Sequence, residues 1–323
     1  MDFLLLRTGN LNIMTIVSAT GVSKAYRLRK QAEPLHALNG VSFALSEGDL
    51  VGYIGPNGAG KSTTVKILSG ILVPDAGQVE VFGKVPWKHR IDTVREIGVV
   101  FGQRTQLWWD LPVIESFQLL KSIYRLSSIQ YGQQLEELVS RLDLQSLLSM
   151  PVRLLSLGQR MRCDLAASLL HAPRLLFLDE PTIGLDAQSK LAVRDFILKI
   201  NEEKRTTVLL TTHDMDDIEA LCQRVMILNQ GNICFQGSLS ALRQQISPER
   251  HLIVDFVHDG AFINEEGVEI IRREGHRVRM RFNPHEISPS ALIAKISAKE
   301  PVADLFVENP PIEALIAKYY NDL

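Results

Sequence analysis

The run Gly55-Pro56-Asn57-Gly58-Ala59-Gly60-Lys61-Ser62-Thr63 has the residue types and spacing to hold a chain of phosphates. Its glycines let the backbone wrap with N–H groups turned inward, and the helix that follows adds a partial positive charge. Lys61 supplies a point charge for the β- and γ-phosphates, while the Ser62 hydroxyl can ligate Mg2+. About 120 residues on, Asp179 and Glu180 close the apolar run of "RLLFLDEP". Asp179 can bind Mg2+ directly or through water, and Glu180 can orient or deprotonate an attacking water. His213 ends a further apolar run, "LLTTHD", where it can reach a γ-phosphate and hold that water. Gln103, in "VVFGQR", can reach Mg2+ and water, and Tyr26 can stack on an adenine. Taken singly, a strand-end histidine, a lone glutamine and a lone tyrosine are ordinary structural residues. A second helix start, "LSLGQR" (155–160), presents the Ser156 hydroxyl, Gly158 and the Gln159 amide together. It too has the chemistry of an anion site.

Elements must bring these residues to one place. "LVGYIG" (50–55) is a compact strand entering the glycine-rich loop, and "KSTTVKILSGIL" continues it with helical spacing. "RLLFLDEP" and "TTVLLTTH" read as buried strands, "LAVRDFILKI" and "DIEALCQRV" as helices, and "RVMILNQGNICFQG" as a terminal hairpin. This alternation predicts an α/β fold with a mostly parallel core sheet. Short strands with turns from about Ile16 to Asp49 predict an antiparallel β subdomain, and a helical block over about 104–172 is inserted between two core strands. Within that block Leu135, Leu138, Val139 and Leu142 share one helix face. The pattern changes after about Ser240 into a small α+β unit, with "HLIVDF" and "RVRMRF" as strands and amphipathic helices near Ala291 and Ile312. Its basic run "RREGHRVRMR" reads as a solvated strand face. The expected organisation is a tail over 1–13, a domain over 14–240 that carries all of these phosphate-binding candidates, and an accessory domain over 241–323. Recognisable pattern begins just after Met14, so Met1 and Met14 are both candidate starts.

Composition narrows the function. With 35 basic and 37 acidic residues the formal charge is −2, so the global positive field of nucleic-acid binders is missing. Cys163, Cys222 and Cys234 sit in apolar runs and read as buried free thiols in a reducing compartment. The apolar runs are far shorter than the roughly 18 residues a spanning helix needs. A cytoplasmic protein is expected.

In order, Tyr26, the glycine-rich loop, Gln103, "LSLGQ", "LLFLDEPTIGLD" and "TTHD" resemble an ATP-binding cassette ATPase, the nucleotide-binding subunit of a transporter. The resemblance runs from about Met14 to Gly237. It implies a P-loop NTPase cassette that binds ATP and Mg2+, with Lys61, Gln103, Glu180 and His213 catalytic and Ser62, Gln103 and Asp179 at the metal. It also implies two cassettes packed head to tail, so that Ser156, Gly158 and Gln159 of one copy cover the ATP held at Lys61 of the other. Asp186 would then lie at the interface of a homodimer. Both halves of such a composite site look intact, which favours two competent sites.

One departure is Leu157, which stands where the usual signature has glycine; its side chain must turn away from phosphate or leave the site looser. The segment "TQLWWDLPVIESF" and the ending "NPPIEALIAKYY" resemble the cassettes of drug- and polysaccharide-type exporters, whose membrane subunits are separate chains. Such a protein sits peripherally on the inner face of the membrane. Trp108 and Trp109 are either core aromatics or part of a surface that receives a membrane subunit. The rival class is a soluble cassette ATPase acting on ribosomes or DNA. Against it stand the single cassette, the acidic balance and the lack of a long coiled coil between the two nucleotide motifs.

Overall fold

The computed structural model describes residues 14–27, 34–102, 104–246, 249–259 and 265–321. Gln103 and the 1–13 tail lie outside the described residues. Two compact units divide between Gly237 and Ser238.

The first unit holds strands β1 (Thr15–Tyr26), β2 (Leu35–Ser46), β3 (Leu50–Ile54), β4 (Ala76–Val81), β5 (Ile97–Phe101), β6 (Leu175–Asp179), β7 (Thr207–Thr212), β8 (Arg224–Asn229) and β9 (Asn232–Ser238, reaching the boundary). Its helices are α1 (Lys61–Leu68), α2 (Arg90–Glu96), α3 (Val113–Tyr124), α4 (Ser128–Arg141), α5 (Leu157–Leu169), α6 (Ala187–Lys204) and α7 (Met215–Leu221). The core sheet runs β5-β6-β7-β3-β8-β9, and β5, β6, β7, β3 and β8 pair in parallel. Leu175–Leu178 and all of β7 are buried because the sheet is covered on both faces, so alternation is suppressed. A second, antiparallel sheet, β2-β1-β4, packs into the same apolar cluster through Val17, Leu38, Leu45 and Val79.

The helical block enters between β5 and β6, neighbours in the core sheet. Ser127 starts α4 with a reciprocal cap, its hydroxyl accepting from the Gln130 N–H while the Gln130 side chain accepts from the Ser127 N–H. Three local expectations are corrected. The helix after the glycine-rich loop stops at Leu68, where Ser69 and Gly70 donate back to its last carbonyls. The helix containing Leu221 ends there, because Cys222 is extended and Arg224 already belongs to β8. The strands before Asp49 are not short but 12 residues each, bent by register shifts between Ala19 and Val22 and beyond.

The second unit comprises α8 (Leu239–Ile246), β10 (Arg250–Phe256), β11 (Val268–Glu274), β12 (Arg277–Phe282), α9 (Pro289–Lys299), β13 (Val302–Glu308) and α10 (Ile312–Asn321). Its sheet is antiparallel, in the order β11-β12-β10-β13, and Leu252, Val254, Phe256, Val278, Met280 and Phe282 bury one face against Leu292 and Ile296. The run "RREGHRVRMR" is a hairpin across β11 and β12 rather than one strand. Its arginines are ion-paired, Arg277 with Asp255 at 2.6 Å and Arg279 with Glu308 at 3.0 Å. Cys163 and Cys222 are buried as expected, but Cys234, on β9, is half-exposed. Burial pushes the Cys163 thiol up to about 12 and the Cys222 thiol up as well, so neither reacts as a thiolate near neutrality.

Candidate functional site

The parallel register gathers the chemistry. Ile54 pairs with Thr212, Phe101 with Asp179, and Asp179 with Thr211. Four strands therefore finish in a row, and the residues that leave them are Gly55, Gly102, Glu180 and His213. Ligands in open α/β sheets bind at such carboxyl-terminal edges.

Around the loop, Lys61 is buried, and its Nζ donates to Gly55 O at 2.6 Å and Pro56 O at 3.2 Å. Burial lowers its pKa, and the carboxylates of Glu180 and Asp179 oppose that shift. Gly60 has φ of 112°, and a Cβ there would lie 2.2 Å from Ala37 O. Only glycine lets the antiparallel sheet approach this close. Tyr26 is half-buried at the end of β1, opposite Leu35 in register, so its strand borders the one that carries Ala37. Asn57, Gly58 and Ser62 are exposed at the mouth, with Thr63 half-buried and Ala59 buried beneath.

Glu180 has φ of 56°, a left-handed conformation costly for a residue with a Cβ. Its N–H donates to Thr211 O at 2.8 Å, and its Oε1 lies 3.0 Å from His213 Nδ1. An ionised carboxylate can only accept, so the proton of that bond sits on Nδ1. Asp179 Oδ1 accepts from Thr211 Oγ1. The loop carrying His213 is fixed from below by Asp217, fully buried, which accepts from Arg194 Nε at 2.6 Å and from Thr182 and Thr212. Sequence reasoning missed Asp217, and it missed Gly102. A Cβ on Gly102 would lie 2.0 Å from Glu180 O, and its N–H donates to Asp179 O at 2.7 Å. Glycine at 102 is what lets the chain leaving β5 pass this close to the backbone of Asp179 and Glu180.

The second helix start is present, but Gly158 is buried rather than presented alongside the Ser156 hydroxyl. Ser156 caps α5, its Oγ accepting from the Gln159 N–H at 3.2 Å while Gln159 Oε1 accepts from the Ser156 N–H at 2.9 Å. Leu157 turns onto Gly184, 2.9 Å from where a Cβ of that glycine would sit. Gly158 faces α6, where its Cβ would meet Ser189 Oγ at 2.3 Å. Asp186 caps α6, accepting from the Ser189 N–H at 2.9 Å and the Ser189 hydroxyl at 2.7 Å. Among the described residues no hydrogen bond joins residues 155–160 to residues 55–63.

These residues fit a nucleotide with its cation. A buried ammonium resting on its own loop's carbonyls is a charge in want of an anion. The open side of Gly58, where a Cβ would meet nothing within 4 Å, leaves room for one. Ser62 and Asp179 offer hard oxygens suited to Mg2+, which usually completes its shell with phosphate oxygens and water.

The ABC transporter family model matches residues 38–183. The ABC transporter ATP-binding protein NatA of Bacillus subtilis is 30% identical over 70% of this chain and 91% of its own length. The chain belongs to the ABC transporter family. It is an ATP-binding and ATP-hydrolysing cassette of that family. The linearmycin resistance ATP-binding protein LnrL of the same organism is 29% identical and is matched over 93% of this chain and 96% of its own, so the likeness extends into the second unit. Among solved structures, a dimeric cassette in a post-hydrolysis state bound to ADP and Pi aligns with TM-score 0.62 and 27% identity, over 69% of this chain and 98% of that one. Among the described residues of this ABC cassette, no helix is long and apolar enough to cross a membrane.

Proposed function

We propose that this cassette powers export through separate membrane-spanning permease chains, acting as a homodimer closed by ATP on the inner face of the membrane. The observation that carries the reading is the capped helix start at Ser156. It presents a hydroxyl and first-turn N–H groups, yet forms no hydrogen bond to the phosphate loop of its own chain. A partner copy facing head to tail would use it. Leu157 does not obstruct that role, because it is turned onto Gly184. Asp186, beside Gly158 and Ser189, would then border both copies.

Mg2+, when bound, would stabilise charge on the phosphates, held through Ser62 and Asp179 with Gln103 nearby. Lys61 would exchange its loop carbonyls for the β- and γ-phosphates. Glu180 would take the proton of the attacking water, and His213, held 3.0 Å away, would keep that carboxylate and the water in line. Tyr26 would stack on the adenine. Catalysis of this kind is positioning plus charge stabilisation.

Trp108 and Trp109 are 40% and 50% exposed, so neither is a core aromatic. We assign them to the surface that receives the membrane subunit. The chain from 241 on would be an accessory domain of the exporter. The transport reading is favoured over a ribosome- or DNA-acting ATPase by the near-full-length likeness to a drug-resistance ATP-binding protein. The test is light scattering of Glu180→Gln with ATP and Mg2+. A dimer is expected; a monomer at saturating ATP overturns the composite site.

A further inference from the structure

A buried carboxyl that the hydrolysis scheme does not use sits on the same helix as Ser156. Asp164 is 4% exposed. Its Oδ1 accepts from Thr105 Oγ1 at 2.8 Å and from the Gln106 N–H at 3.0 Å, and Gln106 Nε2 donates back to Asp164 O at 2.8 Å. Thr105 Oγ1 in turn accepts from the Leu107 N–H at 3.1 Å. One turn back along α5, the Arg160 guanidinium lies over the Trp109 ring, 5.7 Å from its centroid. The two residues thus hold opposite ends of one short segment, 105–109, which follows Gln103 and carries the exposed tryptophans.

We propose that Arg160 and Asp164 form a two-point clamp fixing the 105–109 segment to α5, so that the Ser156 helix start and the tryptophan surface move as one piece. The inference rests on the reading of α5 and the tryptophans given above, and makes the two side chains positioning residues for coupling.

The Asp164 arm of the clamp is a pair of accepted hydrogen bonds rather than a charge. Both accepted hydrogen bonds end on a single oxygen, which asparagine would supply without burying a charge. The far end of the segment is secured to the same helical block, where the Trp108 N–H donates to buried Ser116 Oγ at 3.2 Å and Trp109 O accepts from the Arg153 N–H at 3.0 Å. The segment therefore has a rigid seat.

The test is amide hydrogen exchange on the full chain in a Glu180→Gln background, with and without ATP and Mg2+. In the parent, nucleotide should slow exchange both at residues 157–160 and at residues 105–109. In Asp164→Ala the response at 157–160 should persist while that at 105–109 is lost, and Asp164→Asn should restore it. Arg160→Gln provides a second variant that leaves the buried group in place, and it should weaken the response at 105–109. A response at 105–109 that survives in both Asp164→Ala and Arg160→Gln overturns the clamp. A parent that responds at 157–160 but not at 105–109 also overturns it, while leaving the composite site standing. A parent that binds ATP and responds at neither segment overturns both.

Discussion

The cap that Ser156 forms and the phosphate contact proposed for it separate under mutation. As a cap its hydroxyl satisfies the Gln159 N–H, and losing it in Ser156→Ala should cost about 1 kcal/mol in chemical denaturation. As an anion site it must stay uncharged. Ser156→Asp preserves the cap, since aspartate caps as well as serine, yet sets a negative charge where phosphate would bind. That variant should keep its unfolding midpoint and lose ATPase activity. Retained activity would reduce Ser156 to a cap. Asp164 gives a pH-dependent counterpart. Burial raises its carboxyl to about 6, so the folded chain holds this proton more tightly than the unfolded chain does. The resulting stabilisation is complete below the unfolded value, near 4, and is lost as pH rises through about 6. Asp164→Asn should therefore stabilise the chain by on the order of 2–3 kcal/mol at about pH 8 and by little near pH 4, in thermal unfolding at the two pH values. Among the candidate site residues, the phosphate loop was readable from its glycine spacing, and Asp179, Glu180 and His213 because they close apolar runs. Asp164 was not, because it looks like any polar residue in a helix and its partners lie 58 and 59 residues away.

Among elements, the contact between α5 and α6 carries most consequence. Gly158→Ala would drive a methyl into Ser189, the residue that ties down Asp186. It should destabilise by about 1–3 kcal/mol, and Ser189→Gly should recover most of that loss in a double-mutant cycle. Recovery of stability without recovery of ATPase would place the Ser189–Asp186 pair in the working site. From sequence alone Gly158 belonged to a phosphate motif; its packing against a helix 31 residues on could not be seen. Strands β11 and β13 were invisible for a different reason. β11 is exposed along nearly its whole length and β13 along most of it, so neither carries the alternation that marks β10 and β12.

Across the whole molecule, every candidate nucleotide residue falls before Gly237, and each unit has its own apolar core. A chain ending at Gly237 should bind ATP with unchanged affinity by titration calorimetry, while Lys61→Ala in the full chain should not bind. Loss of binding on truncation would make the second unit part of the nucleotide site. Trp108→Ala should lower the unfolding temperature only modestly, since the residue is 40% exposed, and should reduce co-purification with membrane-spanning chains. The α/β architecture was legible because buried parallel strands are continuous apolar runs and the intervening helices are periodic. The exposure of the tryptophan pair was not, since an aromatic doublet reads equally as core or surface.

The left-handed backbone of Glu180 sets a limit on how far this fold can be relaxed. Replacing a side chain there with glycine removes a local penalty of about 1 kcal/mol, so Glu180→Gly should unfold at a higher temperature than the native chain. The same change deletes the carboxylate beside His213. Selection for heat resistance alone would thus drift toward a sturdier, silent ATPase at this position, and only selection on turnover would hold the glutamate in its uncomfortable pose.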